Sequence, residues 1–391
     1  MKLSQEEKTK LRTWVEIDRD AVKANYKTFK NIVGDRILMA VVKSNAYGCG
    51  LVLFSKELVK NGVNFFGVDS FDEALELRDA GIKVKILVLG YVSPLYYKEA
   101  IQKDISLTIS NFTTLEALRK IKINKKLNIH IKVDTGLGRQ GFFIKDIKKV
   151  LKILKSVQKN VQVEGLYSHL AMGEDLSKEA REYTEHQVNE LNTWYEEFIK
   201  EKYKPLKHIC ASAATMFYLE YHFDMVRVGI GMYGLWSSKE TKFAMEKKYP
   251  LYPVLSWKAI ITEVKIFPKG ISIGYDLTEK LKRNSKLAII AVGYWHGYPR
   301  VLSRKGTFNV QGKKVKIIGS VCMDMIVLDV TGLPVKVGSE VAIIGGDYGH
   351  YAEVDVMAQD SDTINYEINT RINPIIKRFY RINPLIKRFL K

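Results

Sequence analysis

Short apolar runs, each closed by a polar or small residue and followed by an amphipathic stretch, recur along the first two-thirds of the chain. The runs predict buried strands over 14–18, 38–43, 65–68, 85–90, 106–109, 128–134, 162–169, 208–211 and 225–229. Apolar positions at three- and four-residue spacing predict helices over 72–80, 115–121, 146–157 and 178–201. Regular strand–helix alternation builds a parallel sheet covered by helices. Eight or nine such units within about 230 residues suit a closed (β/α)8 TIM-type barrel better than an open doubly wound sheet. No Gly-x-Gly-x-x-Gly follows the first strand, so a dinucleotide-binding sheet loses its main support.

Near Pro250 the texture changes. Stretches 254–267, 286–294, 308–318, 326–330 and 340–344 are rich in β-formers and broken by Gly-containing turns, and a helix pattern returns only at 356–368. The expected organisation is an α/β barrel domain over 1–248 and a mostly β domain over 249–391, with residues 1–18 free to pack against the second. Residues 371–380 and 381–390 form a near-perfect tandem repeat around Arg-Ile-Asn-Pro. Two copies are too few for a solenoid, and a basic extension is the expectation. Docking of this tail on an acidic membrane is the rival.

Composition narrows the classes. The net charge of +19 would suit nucleic acid, but the lysines are spread along the chain and alternate with acids. They read as solvated surface that attracts small anions, with neither nucleic acid nor membrane as partner. Three cysteines, widely spaced and odd in number, argue against a disulfide framework. The first residues carry no apolar leader and no run reaches the ~18 apolar residues of a membrane span, so the expected location is the cytoplasm.

Chemistry-bearing residues fall where barrel strands end, the face on which TIM-type barrels carry their sites. Lys43 closes the apolar run 37–42, where partial burial would favour a nucleophilic amine able to form a Schiff base; a Lys that merely reaches solvent is the plain alternative. Lys132, Asp134 and Arg139 surround another strand end, and Ser168-His169 a third. Ser212 opens a helix-like segment, and Arg227 precedes Gly229-Ile230-Gly231, together a possible phosphate cradle. An amine, a phosphate cradle, an imidazole and an Arg at one barrel mouth fit pyridoxal phosphate.

The segment Lys43-Ser44-Asn45-Ala46-Tyr47-Gly48 resembles the cofactor-lysine signature of the alanine racemases, fold-type III pyridoxal-phosphate enzymes. Similar segments follow in family order at 132–139, 168–171, 227–230, 273–275, 320–324 and 363–367. The resemblance implies a two-base racemisation of L- and D-alanine, supplying D-alanine for peptidoglycan. Lys43 would bind the cofactor and act as one base, and Tyr275 would be the other. Tyr47, Ser212, the backbone at Gly229 and Ile230, and Tyr366 would hold the phosphate. Arg227 would face the pyridine nitrogen and His169 the ring. Arg139 and the Met323 backbone would bind the substrate carboxylate. Tyr294 and Tyr366 would narrow the entrance, and Lys132 would be a position for carbamylation. Tyr275 and Met323 would come from the partner chain of a homodimer. Two positions depart from the family: Ala211 stands where Asn is usual, and His296 where Asp is usual. The rival readings are a serine or broad-specificity racemase, a fold-type III decarboxylase, for which a Cys-Glu-Ser-type segment is missing, and a non-catalytic pyridoxal-phosphate binding protein.

Overall fold

A computed structural model of the chain describes residues 10–121, 125–277, 279–346, 353–383 and 386. It has two compact units: Met1–Ala21, Tyr47–Leu53 and Pro253–Lys391 make one, and Val22–Ala46 with Phe54–Tyr252 the other. The first predicted strand, β1 (Thr13–Asp18), belongs to the former.

The Val22–Ala46/Phe54–Tyr252 unit is the barrel. Its strands are β2 (Ile37–Val41), β3 (Phe65–Val68), β4 (Lys85–Val88), β5 (Ser106–Ile109), β6 (Leu127–Lys132), β7 (Val161–Tyr167), β8 (Leu206–His208) and β9 (Met225–Val228). They run parallel in the order β8-β7-β6-β5-β4-β3-β2-β9. The ring is completed beside β8 and β9 by Asp224 N–H donating to Lys207 O (3.1 Å) and Arg227 N–H to Cys210 O (3.0 Å). The near-continuous apolar strands follow from burial on both faces. Met39, Phe65, Leu87 and Met225 pack one interior layer. Ser70 and Glu73 form a reciprocal cap on the helix Phe71–Asp79, and Ser177 caps Lys178–Lys200 through Ala180 N–H.

In the other unit β1 pairs antiparallel with β10 (Leu255–Phe267). Further strands are β11 (Ser272–Ile273), β12 (Glu279–Lys280), β13 (Ser285–Ile290), β14 (Thr307–Val310), β15 (Lys313–Ile318), β16 (Ile326–Asp329), β17 (Glu340–Ile344) and β18 (Arg378–Arg381). The main sheet runs β13-β16-β15-β14-β17-β10-β1-β18, and a β13–β10 pairing closes it on itself. The stretch 308–318 is a hairpin: Gln311 and Gly312 take φ of 49° and 80°, the left-handed pair of a tight two-residue turn. The single helix expected over 356–368 is two, Val354–Asp360 and Asn365–Thr370, parted near Asp362 with φ 54°.

The first repeat copy is structural. Arg378 donates to the carbonyls of Gly48 (3.1 Å), Asn373, Pro374 (both 2.9 Å) and Ile372 (3.1 Å). In the second copy Arg381 pairs with Asp18 at 3.3 Å and Glu16 at 3.9 Å, and Ile386 is buried. Residues 384, 385 and 387–391 lie outside the described residues.

Candidate active site

β2 ends at Val41, and the chain then enters a left-handed turn: Ser44, Asn45, Ala46 and Tyr47 all have φ between 50° and 56°. For L-residues each such conformation costs roughly 1 kcal/mol or more. Bonds from Ala46 N–H to Val42 O (2.9 Å) and from Asn45 N–H to Glu73 Oε1 (3.2 Å) hold it. Gly48 continues with φ 84°, and a Cβ there would collide with Asn369 O, so only glycine fits. The turn aims Lys43 out of the strand. Its side chain is 40% exposed and pairs with Asp69, Nζ to Oδ1 3.5 Å. A carboxylate thus accompanies the amine.

Arg227, buried on β9, is the best-tied cation. Nη2 donates to Ser168 O (2.9 Å), His169 Nδ1 (3.0 Å) and Ile209 O (3.0 Å), and Nη1 to His208 Nδ1 (2.8 Å). Because Arg only donates, His208 Nδ1 accepts, and the remaining tautomers follow. His208 Nε2–H donates to His130 Nδ1 (3.0 Å), and His130 Nε2–H to Glu164 Oε2 (3.2 Å). Glu164 also accepts from Lys85 (2.5 Å) and Ser106 (2.7 Å). This is a donor chain from cation to carboxylate through two neutral imidazoles. Burial and the Arg227 charge push His208 and His169 well below the ordinary His range, and burial lowers His130. Burial opposes ionisation of Glu164, but its partners, His130 foremost, hold it down at about 2. Burial pushes Arg227 down to about 10, below the range above ~12 of a free guanidinium, yet it stays cationic at neutral pH. Gly165 makes the relay possible, since a Cβ there would strike the His130 ring.

The two strand ends meet at Ser212. Its Oγ accepts from Gly229 N–H (3.0 Å) and Gly231 N–H (3.3 Å), so its own proton remains free to donate. Ile230 lies between those two amides. Ala211 precedes Ser212 at the helix start without a side-chain cap, as expected where a short polar residue is replaced by Ala. Asp134 accepts from the amides of Gly136, Gly138 (both 3.0 Å) and Arg139 (2.8 Å). Burial opposes its charge, but these amides hold its carboxyl below the usual range, and they shape the loop that carries Arg139. Lys132 Nζ donates to Gln140 Oε1 at 2.9 Å, and Gln140 passes the link to Ser110 at 3.1 Å. Burial first, then Arg139 and Arg227, pushes Lys132 down to about 8.

The barrel thus brings Lys43, Lys132, Arg139, His169, Ser212, Arg227, Gly229 and Ile230 to one end of its strands. A group with a phosphate, a flat ring and an aldehyde fits this donor set. Ser212 keeps a proton to donate, and among the described residues the Arg227 Nε–H has no protein acceptor. The other predicted residues lie in the second unit. Tyr47 and Tyr366 form a tilted ring pair at 6.0 Å. Tyr294 N–H donates to Cys322 O (3.1 Å) and Trp295 N–H to Met323 O (3.0 Å), which sets Tyr294 beside Met323. Tyr275, Met323 and Tyr294 are 70%, 54% and 42% exposed. His296 is buried and accepts Gly293 N–H on Nδ1 at 3.2 Å, a packing role for that departure.

Sequence reading missed Asp69, although it directly follows a predicted strand and the strand-end rule would have found it. It also missed His130, Glu164 and His208. These are polar residues inside apolar strands, and their position was the available signal.

The comparisons with known proteins agree with one another. The family model for the alanine racemase N-terminal domain matches residues 17–237, and that for the C-terminal domain residues 254–380. The chain is 38% identical over 376 residues to "alanine racemase 1" of Caldanaerobacter subterraneus subsp. tengcongensis, covering 94% of both chains. The Bacillus anthracis alanine racemase structure with bound L-Ala-P superposes with a TM-score of 0.89 at 34% identity, over 95% of each chain. That of the Bartonella henselae enzyme with covalently bound pyridoxal phosphate does so at 0.83 and 29%, over 95% of this chain and all of that one. Both family models, the barrel with its β domain, and these likenesses over nearly the whole length establish that this chain belongs to the alanine racemase family.

Proposed function

We propose that the chain interconverts L- and D-alanine with pyridoxal phosphate, the cofactor of its family, held at the barrel mouth. The observation that carries this reading is the meeting of Lys43, the Ser212 cradle, His169 and the tethered Arg227 at one end of the strands. Lys43 would hold the cofactor covalently, and Ser212 with the amides at Gly229 and Ile230, Tyr47 and Tyr366 would bind its phosphate. When bound, the cofactor supplies an electron sink that makes the α-proton of an attached amino acid acidic.

The chain's residues then divide the work. Arg227, fixed by four acceptors, would donate to the ring nitrogen and leave it unprotonated, because a guanidinium keeps its proton at neutral pH. Neutral His169 would lie against the ring. Arg139 and the Met323 N–H would orient the substrate carboxylate. Lys43 would take the α-proton on one face and Tyr275 deliver one on the other, with the roles reversed for the opposite enantiomer. Tyr275 and Met323 are exposed, which suits residues that enter another chain's site in a homodimer, and Tyr294 and Tyr366 would keep the entrance small.

The depressed Lys132 supplies some neutral amine at neutral pH. Addition of that amine to carbon dioxide, with loss of a proton, would give a carbamate anion beside Arg139. Residence in the cytoplasm and supply of D-alanine for peptidoglycan belong to the same proposal; loss of the gene should leave growth dependent on added D-alanine. Among the described residues no helix is long and apolar enough to cross a membrane.

The test is borohydride reduction of the cofactor-loaded protein, peptide mapping, and chiral analysis after incubation with L-alanine. Label on Lys43 with D-alanine formed is the expected result. Label on another lysine, or none, refutes the site, and label without D-alanine refutes the reaction.

A further inference from the structure

Two residues of the helix Lys178–Lys200, about one turn apart, reach two strand ends of the barrel mouth. Gln187, fully buried, is the first. Its Oε1 accepts from Ala171 N–H (2.8 Å), and its Nε2 donates to His169 O (3.1 Å) and Thr135 Oγ1 (3.3 Å). A backbone N–H can only donate and a carbonyl only accept, so the orientation of the side-chain amide follows. Thr135 Oγ1 lies 2.8 Å from Ser168 Oγ and, having accepted from Gln187, keeps its own proton for that contact. The end of β7 is thereby joined to the start of the loop that follows β6. Tyr183, on the same helix face, holds that loop one position further on, its hydroxyl donating to Gly136 O at 2.7 Å. Gly136 has φ 127°, and a Cβ there would strike the Tyr183 hydroxyl, so glycine is what lets the phenol close on the loop.

The two strand ends carry different parts of the site. His169 is held on its ring by Arg227 and on its backbone carbonyl by Gln187. Arg139 sits at the far end of its loop, where the amides of Gly136, Gly138 and Arg139 wrap Asp134. Gln187 and Tyr183 tie the near end of the same loop, at Thr135 and Gly136. Burying an amide costs free energy unless its donors and acceptor are paired. Gln187 therefore favours one spacing of the three groups it binds; an apolar side chain of the same size would fill the volume and select none.

We propose that Gln187 and Tyr183 are positioning residues: they clamp the two strand ends together and so fix the gap between His169, against the cofactor ring, and Arg139, at the substrate carboxylate. The proposal rests on the roles given to His169 and Arg139 in the proposed function. The clamp divides by position. Tyr183 bonds to the loop that carries Arg139 and acts on the substrate side. Gln187 bonds to both strand ends and acts on the cofactor side as well.

The test compares wild type, Tyr183→Phe and Gln187→Met, each replacement close in volume to the native side chain. Amide hydrogen exchange of the cofactor-free protein comes first. On the peptide spanning 134–143 it should be about fivefold faster in each variant, the effect of one lost hydrogen bond, with the peptide spanning 71–79 unchanged as the mark of a native barrel. With pyridoxal phosphate loaded, the KM for L-alanine should rise about fivefold in Tyr183→Phe with kcat within about twofold of wild type, and the cofactor's induced circular dichroism should be retained. In Gln187→Met the KM should rise likewise and the dichroism should fall. Should Gln187→Met fail to fold, Tyr183→Phe, altered at a half-exposed site, decides through exchange and KM. Faster exchange with KM and dichroism at wild-type values makes the clamp a brace for stability alone and overturns the positioning role. Unchanged exchange overturns the clamp itself. A wild type that does not racemise alanine overturns the proposed function and this role with it; a racemising wild type with unmoved variants overturns this role alone.

Discussion

Replacing His208 by Phe tests the donor chain behind Arg227. Phe replaces the five-membered imidazole by a flat, somewhat larger six-membered ring that can keep the stack on Tyr167, with centroids 4.6 Å apart and planes within 6°. What disappears is the acceptor for Arg227 Nη1 at 2.8 Å and the donor to His130 at 3.0 Å. Losing one partner of a buried charged donor costs about 1.5–3 kcal/mol, and the orphaned His130 nitrogen about 1 more. Arg227 keeps three acceptors on Nη2, so the expected loss is about 3 kcal/mol. With a urea slope of about 3 kcal/mol per M for a unit of this size, the barrel's unfolding midpoint should fall by about 1 M. Tryptophan fluorescence follows it, since Trp194 is buried in the barrel, and because the chain has two units the transitions are fitted separately. His208→Gln offers a carbonyl to accept and an N–H to donate, and should recover most of the loss. A His208→Phe midpoint within about 0.3 M of wild type would show that the relay does not hold Arg227.

Three further outcomes follow from the same structure. Tyr275→Phe should retain the cofactor's absorbance and lose racemisation, with α-proton exchange of L-alanine in deuterated water persisting on one face; normal D-alanine production would remove Tyr275 as a base. Lys132 unfolds from about 8 in the native chain to its ordinary 10.5, so between those values the unfolded chain binds the extra proton and stability rises with pH. In carbon-dioxide-free buffer wild type should gain about 2–3 kcal/mol across that window relative to Lys132→Gln, and parallel stability curves would contradict the burial argument. Deleting 381–391 strips Asp18 of its Arg381 partner and removes buried Ile386. The β unit should lose about 2 kcal/mol or more while vesicle binding is unchanged; unaltered stability would make the second repeat copy a passive extension.

Periodicity was enough to give the barrel, because strands buried on both faces must be apolar and their helices amphipathic. The strand-end rule then gave Lys43, Lys132, His169, Ser212 and Arg227, since chain order alone places those ends on one face of a closed parallel ring. The membership of β1 was legible only as an option, with residues 1–18 free to pack against the second domain. The apolar run 14–18 satisfies any sheet, and only its pairing with β10, more than two hundred residues away, assigns it to the β unit. The left-handed turn after Lys43 was equally hidden, because only Asn45 of Ser44, Asn45, Ala46 and Tyr47 favours positive φ and the run is imposed by what surrounds it. The environment of each charge was decided in space as well. Nothing in the order of residues shows that Asp69 comes within 3.5 Å of Lys43. Nor does it show that two imidazoles link Arg227 to Glu164, 63 positions before it in the chain. A sequence determines which residues are apolar and in what order the strands come; the partner of a buried charge depends on distances of a few ångströms, and only the folded chain sets those.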